Sequence, residues 1–211
     1  MVGDSAGRHE PEPGPRRGAK MALGVAMTRQ KVKFTYEDYK SLPASETKRY
    51  ELLGGELVLV PSPSEYHQRI SRNLEFLLWR FVKERELGWV YDAPLDVVLG
   101  EGEDREVVQP DIIYISRERA GIIAEEEIRG APDLVIEIIS PGTADRDRHY
   151  KKTLYARHGV AEYWLVDPEA KAVEIYVPGE AGFRLERVFR GKEILSSPLL
   201  PGLEIPLAEV F

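Results

Sequence analysis

The sequence predicts an α/β or α+β domain: a mixed β-sheet flanked by helices, with a β-hairpin on its N-terminal side. Three observations carry that expectation. Residues 134–139, Leu-Val-Ile-Glu-Ile-Ile, form a nearly continuous apolar run, the pattern of a central strand covered on both faces. Between His67 and Glu86 the residues Ile70, Leu74, Leu77, Leu78 and Phe81 recur at three- and four-residue steps, an apolar helical stripe. Arg49–Leu53, Gly54-Gly55 and Glu56–Val60 read as strand, tight turn and strand. Helices lying among strands in this way imply layers of helix packed on sheet.

Composition sets the outer bounds. The chain has 211 residues, enough for one domain with a substantial core. Hydrophobic residues make up 43%, ordinary for a soluble globular protein, and no stretch approaches the roughly 20 apolar residues of a membrane span. Cysteine is absent, which excludes a disulfide framework and a thiolate metal site and fits a reducing cytoplasm without requiring it. No secretory signal is read at the N-terminus, so a cytoplasmic location is expected. The net charge of -7 argues mildly against avid nonspecific binding to DNA. It leaves room for an enzyme whose local basic groups and metal ions approach phosphates.

Residues 1–30 are dense in proline, glycine and charge and read as a flexible tail, or as an extension upstream of a start at Met21 or Met27. The functional alternative is a basic arm through Arg16, Arg17 and Lys20. The folded domain is expected over residues 31–211, beginning near Phe34. Thr35 followed by acids starts a short helix that stops before Pro43. After the hairpin, Pro61-Ser62-Pro63-Ser64 breaks the chain, and the long helix runs from about His67 to Glu86, ended by Gly88. Trp89–Leu99 reads as a strand interrupted near Pro94, residues 100–106 as a polar loop, Val107–Ser116 as the next strand and Arg117–Ala124 as a short helix or helical turn. Beyond the apolar run, Thr143–His158 reads as a helix ended by Gly159. Glu162–Val166, Ala172–Val177 and Phe183–Phe189 read as strands, and the stretch from Ile194 as an irregular wrap.

Candidate chemistry centres on acids in apolar surroundings. On the predicted central strand Val135, Glu137 and Ile139 share one face. A carboxylate inside such a run is costly to desolvate unless a cation or hydrogen bonds compensate it. Metal coordination answers that cost, and a structural salt bridge to an arginine is the plain alternative. Asp111 follows Pro110 at a strand start, where a second metal ligand could stand. Asp133 repeats the Pro-Asp pair, but four residues of strand put it about 13 Å from Glu137, so it reads as a strand-entry residue. Lys151 and Lys152 lie in a predicted helix with Tyr155. Lys151 and Tyr155 are four apart and face one side, although helix phase alone does not choose between the lysines. His67 could extend a metal site or act as a base, or simply occupy a polar helix start. Glu51 and Glu56 flank the hairpin turn and are not ranked. No Gly-rich phosphate loop is present, and Ser62 and Ser64 lack a nucleophile-elbow context.

Gln109-Pro110-Asp111, with Glu137 on the next core strand, resembles the PD-(D/E)XK nuclease superfamily. The closer resemblance is to a large bacterial family of restriction-endonuclease-like proteins abundant in cyanobacteria. It is carried by Tyr50-Glu51-Leu52-Leu53-Gly54-Gly55-Glu56-Leu57, by Pro61-Ser62-Pro63 with His67, by Val135-Ile136-Glu137-Ile138-Ile139-Ser140-Pro141, and by the stretch from Lys151 through Gly159-Val160-Ala161-Glu162-Tyr163-Trp164. The resemblance implies a restriction-endonuclease-like core in which Asp111 and Glu137 bind Mg²⁺ or Mn²⁺. Ile139 stands two residues after Glu137, where the superfamily motif has lysine. In the closer family the lysine comes from the following helix, and Lys151 matches that place. The implied activity is metal-dependent hydrolysis of DNA phosphodiesters, with Lys151 orienting or deprotonating the attacking water and Glu51 or Glu56 adding a further contact. A homodimer suits cutting two antiparallel strands. A catalytically inactive DNA-binding or protein-interaction module and a small-molecule phosphohydrolase are the alternatives.

Overall fold

Helix α1 (Tyr36–Lys40) opens the domain in the computed structural model, which describes residues 1–3, 32–43 and 48–211. The tail expected over residues 1–30, with its alternative basic arm, lies outside the described residues apart from the first three. The Thr35 side chain caps the Asp38 amide and Asp38 caps the Thr35 amide in return, a reciprocal cap that fixes the start of this short helix. Strands β1 (Arg49–Leu53) and β2 (Glu56–Val60) pair antiparallel. Gly54 and Gly55 between them have φ of +58° and +83°, the left-handed pair that a two-residue hairpin turn requires. Helix α2 (Glu65–Glu84) begins at Ser64, whose Oγ accepts a hydrogen bond from the His67 amide at 3.1 Å. It buries the expected stripe together with Val82, each fully buried aliphatic or aromatic side chain contributing about 1.5–3 kcal/mol.

The chain then alternates between two sheets. Strands β3 (Gly88–Asp92), β4 (Asp96–Leu99), β5 (Glu106–Val108) and β6 (Ile112–Ser116) replace the two strands expected over Trp89–Leu99 and Val107–Ser116. β3 and β6 pair in one sheet, β4 and β5 in the other. Both crossings fall at prolines, Pro94 and Pro110, which have no N–H to continue a ladder. The two crossings are tied by a hydrogen bond from the Ala93 amide to the Asp111 carbonyl at 3.1 Å. A three-residue strand, β7 (Glu127–Arg129), too short to be read from pattern, completes the second sheet, whose order is β2-β1-β5-β4-β7.

β8 (Leu134–Ile138) is wholly buried, as its apolar run predicts. The following helix is not regular: Arg146–Lys151 is a π-helical turn leading into α3 (Lys152–His158), which Gly159 ends at φ +81°. β9 (Glu162–Asp167), β10 (Ala172–Gly179) and β11 (Gly182–Arg190) follow. The central sheet has the order β11-β10-β9-β8-β6-β3. β8 and β9 are parallel and the other neighbours antiparallel, so the sheet is mixed. The C-terminal stretch is more ordered than expected. β12 (Ile194–Leu195) pairs with β13 (Ile205–Pro206), and α4 (Leu207–Val210) closes the chain.

Alternation along β8 separates two cores. Leu134, Ile136 and Ile138 pack with α2, Trp164 and the C-terminal Leu207 and Val210. Val135 packs on the opposite face with Tyr155, Leu165 and residues of the second sheet such as Leu53 and Val97. Glu137 shares the parity of Val135 and thus faces the gap between the sheets. Among the described residues no helix is long and apolar enough to cross a membrane.

Candidate active site

The register of β6 against β8 places the first acid opposite the second. Ile112 pairs with Ile136, Ile113 with Val135 and Tyr114 with Leu134, so the next rung sets Asp111 across from Glu137. Antiparallel partners point to the same face with Cβ atoms about 5 Å apart. Asp111 is held there by its Oδ2, which accepts a hydrogen bond from the Ile138 amide at 2.7 Å. His67, in the first turn of α2, braces both groups. Its Nε2 lies 3.0 Å from the Ile138 carbonyl and 3.3 Å from Asp111 Oδ2. A carbonyl only accepts, so the network assigns the proton to Nε2.

The lysine arrives from the π-helical turn. Lys151 Nζ donates to Glu51 Oε1 at 2.7 Å and to Glu137 Oε1 at 3.0 Å, and stands 3.7 Å from Asp147 Oδ1. Tyr155 Oη donates to the same Glu137 oxygen at 2.6 Å. Glu51 reaches this point from β1 in the second sheet, and the Gln109 amide also donates to its Oε1 at 3.0 Å. Arg146 Nη1 lies 4.0 Å from Glu51 Oε2. These groups line a cavity of about 490 Å³ between the sheets, into which Asp111, Glu137, Asp147 and Lys151 all project.

Charge in the cluster is unbalanced. Three buried carboxylates surround one buried ammonium. Burial pushes the Glu137 carboxyl well above the usual carboxylate range; Lys151 opposes that rise, and Asp147, Asp111 and Glu51 add to it. Asp147 is raised for the same reason, burial first. Burial alone would favour a neutral Lys151, but Glu137, Glu51 and Asp147 outweigh it and hold the amine protonated. His67 is likewise opposed by burial, yet its contacts with Asp111 and the Ile138 carbonyl raise it. Asp147 Oδ1 is buried without a hydrogen-bond partner.

The structure brings Asp111, Glu137, Lys151, Glu51, His67 and Tyr155 together, and it separates Glu56 from them. Glu56 pairs with Leu53 beside the hairpin turn and is exposed, two rungs, or about 7 Å, along the strand from the partner of Glu51. Lys152 points elsewhere, its Nζ 4.7 Å over the Tyr176 ring, which settles which lysine enters the cavity. Asp133 accepts from the Ser116 amide at 2.7 Å and meets Arg119, the role of a strand-entry residue. Arg146 and Asp147 were not singled out from sequence. The spacing of Asp147 four residues before Lys151 was the available signal, since such pairs meet on one helix face.

Comparison with known proteins agrees with this architecture. A crystal structure from Anabaena variabilis, described as "a putative nuclease belonging to DUF820", matches with a TM-score of 0.70 at 23% identity, over 84% of this chain and 97% of that one. That likeness establishes the fold, the restriction-endonuclease-like mixed sheet with flanking helices. An uncharacterised protein of Synechocystis sp. is 26% identical over 144 residues, 67% of this chain and 79% of the relative. Residues 36–208 match the family Uma2, "Putative restriction endonuclease", and the chain belongs to that family.

Proposed function

We propose that the protein is a metal-dependent endonuclease that hydrolyses DNA phosphodiesters at the cavity between its two sheets. The observation that carries this reading is the rung pairing Asp111 with Glu137 while Lys151 Nζ stands 3.0 Å from Glu137.

The donor chemistry fits a hard divalent cation. Asp111 and Glu137 are oxygen ligands on adjacent strands. The raised Glu137 and Asp147 and the partnerless Asp147 Oδ1 mark surplus negative charge that a cation would neutralise. Among the described residues no three His, Asp or Glu side chains form a complete metal cage. That suits Mg²⁺ or Mn²⁺ held by one or two carboxylates, with water and substrate oxygens completing the shell. Bound there, the ion would supply Lewis-acid polarisation of the phosphoryl oxygen and acidify the attacking water.

The chain's own residues do the rest. Water adds to phosphorus, the bond to the leaving ester oxygen breaks, and a phosphomonoester and an alcohol result. Lys151, held as an ammonium, donates hydrogen bonds and positive charge; it orients water and offsets charge on the phosphoryl oxygens rather than accepting a proton. Tyr155 fixes the Glu137 carboxylate, and His67 with the Ile138 amide fixes Asp111. The test is cleavage of DNA with Mg²⁺ or Mn²⁺ by the intact protein and by folded Asp111→Ala and Glu137→Ala variants. Cleavage lost in both supports the reading; cleavage that survives both overturns it.

A further inference from the structure

The cavity opens sideways. A second cleft of about 380 Å³ adjoins it, and Arg49, Pro63, His67 and Asp111 line both. The two spaces therefore meet at one of the paired carboxylates. Lys151 is engaged by Glu51, Glu137 and Asp147, and its donors are turned to those acids. The other permanently charged cations lining the cavity are Arg146 and Arg49. Arg146 sits in the π-helical turn with its side chain 27% exposed, and 4.0 Å from Glu51 it is beyond direct hydrogen-bond reach. Its guanidinium fork is available to a planar or tetrahedral oxyanion. Arg49 opens β1 and stands where the two spaces join. Gln68, Ser71 and Arg72 of α2 continue the second cleft, and Glu75 and Asp92 close its far wall, where their charge repels a phosphate.

We propose that Arg146 and Arg49 grip two successive phosphates of a nucleic-acid strand: Arg146 the phosphodiester beside Asp111 and Glu137, Arg49 its neighbour leading into the second cleft. The inference rests on the nuclease reading and sharpens it, because a substrate held at two phosphates is a polynucleotide and not a small phosphate ester. The clamp ends at Glu75 and Asp92. Lys151 belongs to the carboxylates, and substrate charge is met by the two arginines.

The experiment is a fluorescence-anisotropy titration of a labelled 12-nucleotide single-stranded DNA in Ca²⁺ at several salt concentrations, using the full chain. Arg49→Ala and Arg146→Ala are each expected to weaken binding about tenfold and to flatten the log–log salt slope by about 0.7. Arg187→Ala, at an exposed position on β11, is expected to bind like wild type. Thymidine monophosphate is expected to compete weakly, with a sensitivity to Arg146→Ala and none to Arg49→Ala. Should an alanine variant unfold, Arg49→Gln and Arg146→Gln carry the same comparison. Unchanged affinity and slope in both arginine variants, or a mononucleotide that binds as tightly as the 12-mer, overturns the clamp. Parallel cleavage assays in Mn²⁺ separate the two claims. A wild type that cuts DNA while the arginine variants bind normally removes the clamp and keeps the nuclease. Arginine-dependent binding without cleavage keeps the clamp and removes the nuclease.

Discussion

Lys151 Nζ lies 3.0 Å from Glu137 Oε1 although the two residues are 14 apart in the chain. Ile139, where the superfamily motif carries its lysine, shares the strand face of Glu137 and lines the same cavity. The ammonium has kept its place in space and changed its address in sequence. A helix that supplies it must hold its phase against the sheet, and Tyr155, one turn on, contacts the same carboxylate oxygen.

If place rather than address matters, the lysine can be moved. Lys151→Ala is expected to lower kcat by about 10²–10³, the loss typical of one transition-state donor. Adding Ile139→Lys to that variant is expected to recover part of the loss. Steady-state cleavage kinetics on the single and double variants check this; a double variant no better than Lys151→Ala contradicts it.

The two hairpin glutamates are expected to behave differently. Glu51→Ala removes an acceptor for Lys151 and for the Gln109 amide and leaves buried donors unmet, a cost of about 1–3 kcal/mol. Glu56→Ala, beside the exposed turn, is expected to change stability by less than about 0.5 kcal/mol and to leave cleavage intact. Urea unfolding with parallel activity assays separates them, and equal effects from the two substitutions would count against the assignment.

Tyr155→Phe deletes one hydroxyl and keeps the ring packed against Tyr163 at 5.3 Å between centroids. The hydrogen bond it removes reaches a buried acid, so a loss of about 1.5–3 kcal/mol is expected. Activity is expected to fall mainly through kcat, because Glu137 loses its anchor and the substrate loses no direct contact. A pure KM effect would contradict this.

Stability of the metal-free protein is expected to fall as pH rises from mild acid through neutrality. Glu137 and Asp147 hold protons above their ordinary values of 4.5 and 3.8, and His67 above 6.5. A group whose folded pKa is raised stabilises below its unfolded pKa and loses that contribution as pH climbs through the folded value. Tm in chelator is therefore expected to decline from about pH 5.5 to 8.5, and Glu137→Gln is expected to flatten the decline. A Tm rising across that range would fault the charge balance.

Much of this arrangement was legible in the residues. The hairpin, α2 and β8 each carry one dominant period or turn signal, and parity along β8 placed Glu137 with Val135 and away from α2. The double strands at Trp89–Leu99 and Val107–Ser116 were not legible as such. Strand propensity runs through both, and a strand that leaves one sheet for another keeps its period. Glu51 and Glu56 were indistinguishable because parity gives both the same face; only the length of the hairpin separates them. Arg146 and Asp147 sat in a stretch read as ordinary helix, and the wider turn that aims them has no signature in composition.

That wider turn makes spacing, more than residue identity, the sensitive variable between Ser140 and Tyr155. Removing a single amino acid there would let the coil relax to regular α-geometry, but everything upstream would swing by roughly 100° about the axis relative to everything downstream. Arg146 and Asp147 would then rotate away while Lys151 stayed. Insertions and deletions in this stretch are expected to disable the centre even where point changes at its outward positions pass unnoticed.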